Sequence, residues 1–129
     1  MKLGVDIWVN SLYTVTVKTI ERDYIMQVSV IHTAFEDSPR TVALVNIPED
    51  ARSTDNALEY AYRWTNNVSG SWSRGDIENN GDYNSDVTVM ADLPVHEGVT
   101  YGLRSTSMGD QMLIGNKKYK VAGFGFEEI

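Results

Sequence analysis

Cysteine is absent from this 129-residue sequence, and its absence excludes several kinds of protein. Disulfide scaffolds, zinc fingers, iron–sulfur proteins and enzymes with a cysteine nucleophile all need the sulfur that this chain lacks. Long apolar runs are also missing, since no stretch approaches the roughly 20 apolar residues that a membrane-spanning helix requires. The N-terminal residues carry an acid at Asp6 and no long apolar core, which predicts no secretory signal and a cytoplasmic location.

Enough apolar residues are present for a folded core. The chain is 42% hydrophobic and holds three Trp, seven Tyr and three Phe, a composition that disordered chains do not have. At this length a domain buries roughly two-thirds of the surface that its unfolded chain exposes. We therefore predict a single domain over residues 1–129.

Basic residues are missing from one long part of this acidic chain, whose net charge is −7. Residues 75–103 contain no Lys or Arg and six carboxylates: Asp76, Glu78, Asp82, Asp86, Asp92 and Glu97. Such a surface repels phosphate, so we expect no direct non-specific binding of nucleic acid. A carboxylate-rich face also keeps a domain soluble, and this simpler interpretation stays open.

Short runs of β-forming residues occur on both sides of one helical segment. Runs at 3–9, 13–19, 24–31, 41–47, 87–90, 100–103, 111–114 and 117–122 predict strands. The polar turn at 21–23 predicts a hairpin of 13–19 with 24–31, and Gly115-Asn116 predicts a second hairpin near the C-terminus. The run at 41–47 is almost wholly apolar, which is typical of a central strand, and Pro48 ends it.

An amphipathic helix is predicted at about residues 54–68. Ser53 or Thr54 serves as the N-cap, and Asp55 lies in the first turn, where the helix dipole favours an anion. Apolar and small residues recur at helical spacing, namely Leu58, Ala61, Tyr62, Thr65 and Val68. The predicted fold class is α+β: a mainly antiparallel sheet with this helix packed on it and a C-terminal hairpin.

The loop at residues 69–86 is long, polar and acidic. From Asp76 its oxygen-bearing side chains and Gly81 have nearly the spacing of a calcium-binding loop. Val87 stands where such a loop needs its bidentate carboxylate, and a strand follows in place of a helix. A weak cation site and an ordinary solvated loop both stay open, and the missing carboxylate favours the solvated loop.

No motif points to catalysis. The two histidines, His32 and His96, lie in no recognisable catalytic or metal-binding pattern, and no phosphate-binding glycine loop is present. We expect no enzymatic activity, no cofactor and no metal.

The segment at residues 101–110 has the densest set of polar groups. Arg104 is the only Lys or Arg between Gly75 and Asn116, and Ser105, Thr106 and Ser107 follow it. Such a turn can hold a phosphate, with Trp64 or Trp72 stacking on a base. Alternatively, Ser107 and Asp110 fix a tight turn while Arg104 pairs with a carboxylate, and Trp64 anchors the helix on the sheet.

Two segments carry a resemblance to a known group of proteins. Residues 104–110, 114–116 and 119–128 resemble the RSxSxGD … G..Y.V...GF ending of small bacteriophage- and plasmid-encoded orphan proteins. Residues 57–66 with 70–75 are similar to the ALE.AYR.TN…SWSRG part of the same group, so that about half of the chain is covered. Met108 stands where a β-branched residue is more usual. The resemblance implies a phage-type accessory protein and assigns no catalytic residue.

Two functions follow as hypotheses, beside the simpler one of a structural or interaction protein. In the first, a phage-encoded, non-enzymatic accessory protein binds a host protein, as a counter-defence inhibitor or an acidic DNA mimic does. Its contact residues are then Asp76, Glu78, Asp82, Asp86 and Asp92. In the second, the chain binds a nucleotide signal through Arg104, Ser105 and Ser107, with Trp64 or Trp72 against the base. Exposed strand edges are also compatible with a homo-oligomer.

Overall fold

The computed structural model describes residues 25–75 and 79–129. They form a six-stranded antiparallel sheet in the order β3-β2-β1-β6-β7-β8, a separate two-stranded hairpin of β4 and β5, and one α-helix. This architecture confirms the predicted α+β class. The elements are β1 Met26–His32, β2 Arg40–Ile47, a 3-10 helix Glu49–Ala51, α1 Thr54–Trp64, β3 Val87–Val89, β4 Val95–His96, β5 Val99–Thr100, β6 Gln111–Ile114, β7 Lys117–Val121 and β8 Phe126–Glu128.

Helix α1 covers one face of the sheet, and the core lies between them. Alternate residues of β1 point to this face, so Val28 and Val30 are fully buried while Gln27 is exposed. Leu58 is the largest apolar side chain that α1 buries, and burying a leucine contributes about 1.5–3 kcal/mol. The remaining core side chains come from the sheet, from α1 and from two loops: Met26, Val42, Ala43, Val45, Ile47, Ala57, Ala61, Trp72, Leu103, Met112, Tyr119 and Val121.

Helix α1 begins where the sequence predicts and ends earlier. The Ser53 hydroxyl accepts a hydrogen bond from the Asn56 N–H, which confirms the N-cap. At the other end, Thr65 Oγ1 donates to the Ala61 carbonyl and Asn66 Nδ2 donates to the Tyr62 carbonyl. Because these side chains satisfy the last carbonyls, the chain leaves the helix after Trp64. The predicted extension to residue 68 is therefore wrong, and the Val68 side chain is 66% exposed.

Strand β1 lies between β2 and β6. Its residues Ser29–Ile31 have neighbours on both sides. The hairpin predicted between residues 13–19 and 24–31 falls outside the described residues, because 13–19 are not described. The predicted central strand at 41–47 is β2, with β1 and β3 on its two sides. The Gly115-Asn116 turn joins β6 to β7 as predicted, and Gly115 has a φ of +60°.

Three loops lie at the same end of the sheet. The antiparallel register places the end of β1, the start of β2, the start of β6 and the end of β7 together. The loops at 33–39, 101–110 and 122–125 therefore meet at this end. Within residues 25–75 and 79–129, no helix is both long enough and apolar enough to span a membrane.

Candidate functional site

Arg104 forms an ion-pair cluster at this end of the sheet. Its Nε and Nη2 atoms donate to the two carboxylate oxygens of Glu36, at 3.0 and 2.9 Å. Its Nη1 and Nη2 atoms donate to the two carboxylate oxygens of Asp110, both at 2.8 Å. Nη1 also donates to the Ser105 carbonyl at 2.8 Å. All five guanidinium hydrogens are therefore used inside the protein.

Asp110 is fully buried, and its carboxylate accepts further hydrogen bonds in addition to those from Arg104. Its carboxylate also accepts the backbone N–H groups of Thr33, Ala34 and Ser107, at 2.8–2.9 Å. Burial alone raises the pKa of Asp110, but Arg104 and these N–H groups outweigh it and hold the pKa at about 2. The hydrogen bond from Arg104 likewise lowers the pKa of Glu36. The cluster therefore keeps both carboxylates ionised and joins the loops at 33–39 and 101–110.

A buried hydrogen-bond chain lies next to the cluster and determines the tautomer of His32. Thr65 Oγ1 donates to the Ala61 carbonyl, so this hydroxyl accepts from Thr106 Oγ1 at 2.8 Å. The one hydroxyl proton of Thr106 is thereby used, and His32 Nε2, at 3.0 Å from Thr106 Oγ1, must be the donor. The neutral imidazole is thus the Nε2–H form. Burial lowers the pKa of His32, although Asp110, with Oδ2 at 3.9 Å, opposes this effect.

This geometry corrects the anion site predicted at residues 101–110. Arg104 has no free N–H for a phosphate, and the Ser105 hydroxyl already accepts the Asn67 N–H. Ser107 Oγ donates weakly to the Ser105 carbonyl at 3.3 Å, and the Ser107 N–H is bound to Asp110. The alternative, in which Asp110 fixes the turn and Arg104 pairs with carboxylates, is the one that the structure shows.

Trp72 cannot stack on a ligand because it belongs to the core. Its side chain is 2% exposed, and its indole N–H donates to the Arg104 carbonyl at 2.9 Å. Its ring meets the edge of His32, with the ring centroids 6.4 Å apart. Trp64 differs, because it is partly exposed and carries the Arg63 guanidinium 4.1 Å above its ring.

Asp82 is also buried, so it cannot contribute to an exposed acidic surface as predicted. Its Oδ2 accepts three consecutive backbone N–H groups, those of Val68, Ser69 and Gly70, at 2.5–2.7 Å. Its Oδ1 accepts Arg63 Nη2 at 3.0 Å. Burial raises the pKa of Asp82, and these donors together lower it below its usual value. Consecutive N–H groups of this kind form an anion-binding nest, which the protein fills with its own carboxylate.

Of the other predicted acidic residues, Asp86 and Asp92 are described, and each has a different environment from Asp82. Asp76 and Glu78 lie outside the described residues. Asp86 accepts the Tyr60 hydroxyl at 2.7 Å, while Asp92 is exposed and its backbone carbonyl accepts Arg40 Nη2. Asn80 and Asn84 bind neighbouring groups of the loop. Within the described part of the chain, no three His, Asp or Glu side chains are grouped closely enough to hold a metal ion.

A shallow depression beside α1 presents free carboxylates and aromatic rings together. It has a volume of about 490 Å³ and is lined by residues of the 3-10 helix and the outer side of α1, namely Pro48, Asp50, Ala51, Asn56, Glu59, Tyr60, Arg63 and Trp64. Asp50 and Glu59 are exposed, and neither forms an ion pair with another described residue. Burial, and after it the hydrogen bond to Asp86, raises the pKa of Tyr60, which keeps this phenol protonated. We call this region the Tyr60–Trp64 depression.

This depression was not predicted from the sequence. Residues 49–59 carry four carboxylates and a single Arg, and this excess of negative charge could have indicated it. Arg52 within that stretch bonds the Ile47 carbonyl through Nε. Comparison with protein-family models, curated proteins and solved structures gave no match.

Proposed function

We propose that this chain is a non-enzymatic phage accessory protein that binds a positively charged surface of a host protein, as a counter-defence inhibitor or an acidic DNA mimic does. The observation that carries the proposal is the Tyr60–Trp64 depression, where exposed carboxylates adjoin two aromatic rings. Carboxylates attract Lys and Arg side chains, and aromatic ring faces attract cations, as the chain's own Arg63 guanidinium over one face of the Trp64 ring shows. The depression therefore suits the basic side chains of a partner.

The division of charges in the fold supports this proposal. Two ion pairs, Arg104 with Asp110 at the sheet end and Arg63 with the loop residue Asp82, lie inside the protein. Asp50 and Glu59 lie outside these pairs and face solvent. The net charge of −7 adds a long-range attraction, which speeds encounter with a basic partner.

A hexa-arginine peptide is a suitable probe, because the partner is not yet identified. We expect NMR titration with this peptide to shift the signals of Glu59, Tyr60 and the Trp64 indole. Added salt should weaken the binding. The double variant Asp50→Asn with Glu59→Gln should weaken it about tenfold, since two exposed ion pairs contribute about 1 kcal/mol together or somewhat more.

The matched control is Asp37→Asn with Glu97→Gln. Both residues are exposed and lie outside the depression. The control removes two negative charges, as many as the test variant removes. We expect its affinity to change less than twofold, since only the long-range attraction is reduced. Equal weakening by the two double variants, or no shifts at residues 59–64, would refute a site at the depression.

A further inference from the structure

The turn between β7 and β8 exposes an aromatic side chain almost completely. Phe124 lies at the tip of this turn and is 99% exposed. The turn is a defined structure, because the Ala122 N–H donates to the Gly125 carbonyl at 2.9 Å and Gly125 has a φ of +66°. A phenylalanine held outward in this way leaves its whole apolar surface available for contact with another molecule.

A groove adjoins the same turn. Its volume is about 250 Å³, its lining is mainly apolar, and it is formed by Met108, Gly109 and residues 121–123. A cavity of about 150 Å³ is enough to hold a benzene ring, so the groove has room for a phenylalanine side chain. Phe124 of the same chain does not fill it, since that side chain points into solvent.

Two charged residues of opposite sign also line the groove. Lys120 on β7 and Glu127 on β8 are both exposed and are neighbours in the antiparallel register. A surface that carries an apolar knob, an apolar groove and one charge of each sign complements itself. In a two-fold interface each residue contacts its complement in the other copy, so every one of these features is used twice.

We propose that two copies of this chain form a symmetric dimer in which Phe124 of each copy inserts into the groove beside Met108 and Gly123 of the other. Lys120 of one copy then faces Glu127 of its partner, and the reverse. Phe124 directly follows Gly123, which lines the groove, so the inserting side chain and the groove lie side by side. A single two-fold axis next to the turn therefore allows each Phe124 to enter the groove of the other copy. We expect a weak dimer, since one aromatic side chain and two charged residues from each copy form its centre.

Analytical ultracentrifugation over a wide concentration range tests the proposal. The wild type should show a reversible monomer–dimer equilibrium. Phe124→Ser should raise the dimer dissociation constant roughly 100-fold or more, since it removes the central anchor from both sides. The control is Phe35→Ser, which removes an aromatic side chain that is 75% exposed and does not line the groove, and it should leave the equilibrium unchanged.

A pair of charge variants separates contacts between chains from contacts within a chain. Lys120→Glu and Glu127→Lys each place like charges at the interface, so we expect each variant alone to be monomeric. An equimolar mixture of the two should form a heterodimer, since each copy then faces the opposite charge. Within each chain of the mixture, residues 120 and 127 still carry charges of the same sign. Restored dimer formation therefore cannot come from the contact within a chain.

Three results would overturn the proposal. They are a wild type that is monomeric at every concentration, a Phe124→Ser variant that dimerises like the wild type, and charge variants that fail to associate when mixed. If the wild type is monomeric, a second copy of this chain does not fill the groove, and its occupant is then a side chain of a different protein. Binding of hexa-arginine at the Tyr60–Trp64 depression is independent of all three results.

Discussion

Replacing Asp110 by Asn keeps the size of the side chain and removes the carboxylate on which five hydrogen bonds converge. All five partners are N–H donors, whereas an asparagine turns its own NH₂ group toward some of them. The substitution also leaves Arg104 with Glu36 as its only carboxylate partner. We therefore expect a large loss of stability from a change of a few atoms.

Two routes give a similar magnitude for this loss. Removing one partner of a buried ion pair costs about 3–5 kcal/mol. The pKa of Asp110 falls from its ordinary value of 3.8 to about 2. At about 1.36 kcal/mol per pH unit, this difference corresponds to roughly 2.4 kcal/mol of stability. We expect the free energy of unfolding of Asp110→Asn to be about 3 kcal/mol lower than that of the wild type near neutral pH.

The pH dependence has a definite sign. Because the pKa of Asp110 is lower in the folded state, its contribution is fully present above about pH 4 and is lost as the pH falls toward 2. The difference between the wild type and Asp110→Asn should therefore narrow by roughly 1.8 kcal/mol between pH 4 and pH 2, and by the full amount of roughly 2.4 kcal/mol only at lower pH. Urea unfolding monitored by tryptophan fluorescence measures this difference, since Trp72 is buried beside the cluster.

Asp37→Asn is the control, because Asp37 is exposed and lies in the same loop as Glu36. It should change the stability by less than about 0.5 kcal/mol. If Asp110→Asn does not fold, Glu36→Gln provides the measurement, with an expected loss of about 1 kcal/mol from a partly exposed pair. A loss below about 1 kcal/mol for Asp110→Asn, or a difference that does not change with pH, would refute the reasoning.

Three further predictions concern the buried polar groups. Asp82→Ala leaves three backbone N–H groups without their acceptor, so we expect a loss of about 2–4 kcal/mol and faster proteolysis at residues 66–75, whereas Asp92→Ala should change neither. Equal proteolysis of the two variants would show that the nest does not hold this loop. The ring ¹⁵N shifts of neutral His32 should report the Nε2–H tautomer. An Nδ1–H tautomer would contradict the chain of hydrogen bonds in which His32 donates to Thr106 and Thr106 donates to Thr65. Because burial lowers the pKa of His32, the unfolded chain takes up the proton first, so stability should fall as the pH drops below about 6.5 and His32→Gln should flatten that slope.

Local signals were sufficient for several elements of the fold. The β6–β7 hairpin follows from a glycine that permits a positive φ at a two-residue turn, and the start of α1 follows from the Ser53 hydroxyl. The end of α1 could not be predicted in the same way. It depends on Thr65, whose hydroxyl also accepts from Thr106, a residue 41 positions away. Strand β8 was missed because Glu127 and Glu128 resemble a solvated tail, whereas its strand character comes from pairing with β7.

The candidate site was less predictable, because its interactions join distant parts of the chain. Arg104 and Asp110 lie close in sequence, and their pairing with a tight turn was one of the two interpretations. Glu36 is 68 residues from Arg104, so no local pattern reveals it. Asp82 lies in a polar loop that is typical of a solvated segment, and only the folded path of residues 68–70 surrounds its carboxylate with donors.

The junction between β1 and β6 has a consequence for how the chain folds. Strands β1 to β3 and strands β6 to β8 form two halves of the sheet, and three strand-paired positions of β1 and β6 join them, Ser29–Leu113, Val30–Met112 and Ile31–Gln111. Closing this junction requires contact between segments such as Ala34 and Asp110, which are 76 residues apart. Contacts at such separation form slowly, because the entropy of ordering the intervening chain is lost first. We expect each half to gain hydrogen-exchange protection early in refolding and the amides along this boundary to gain it last.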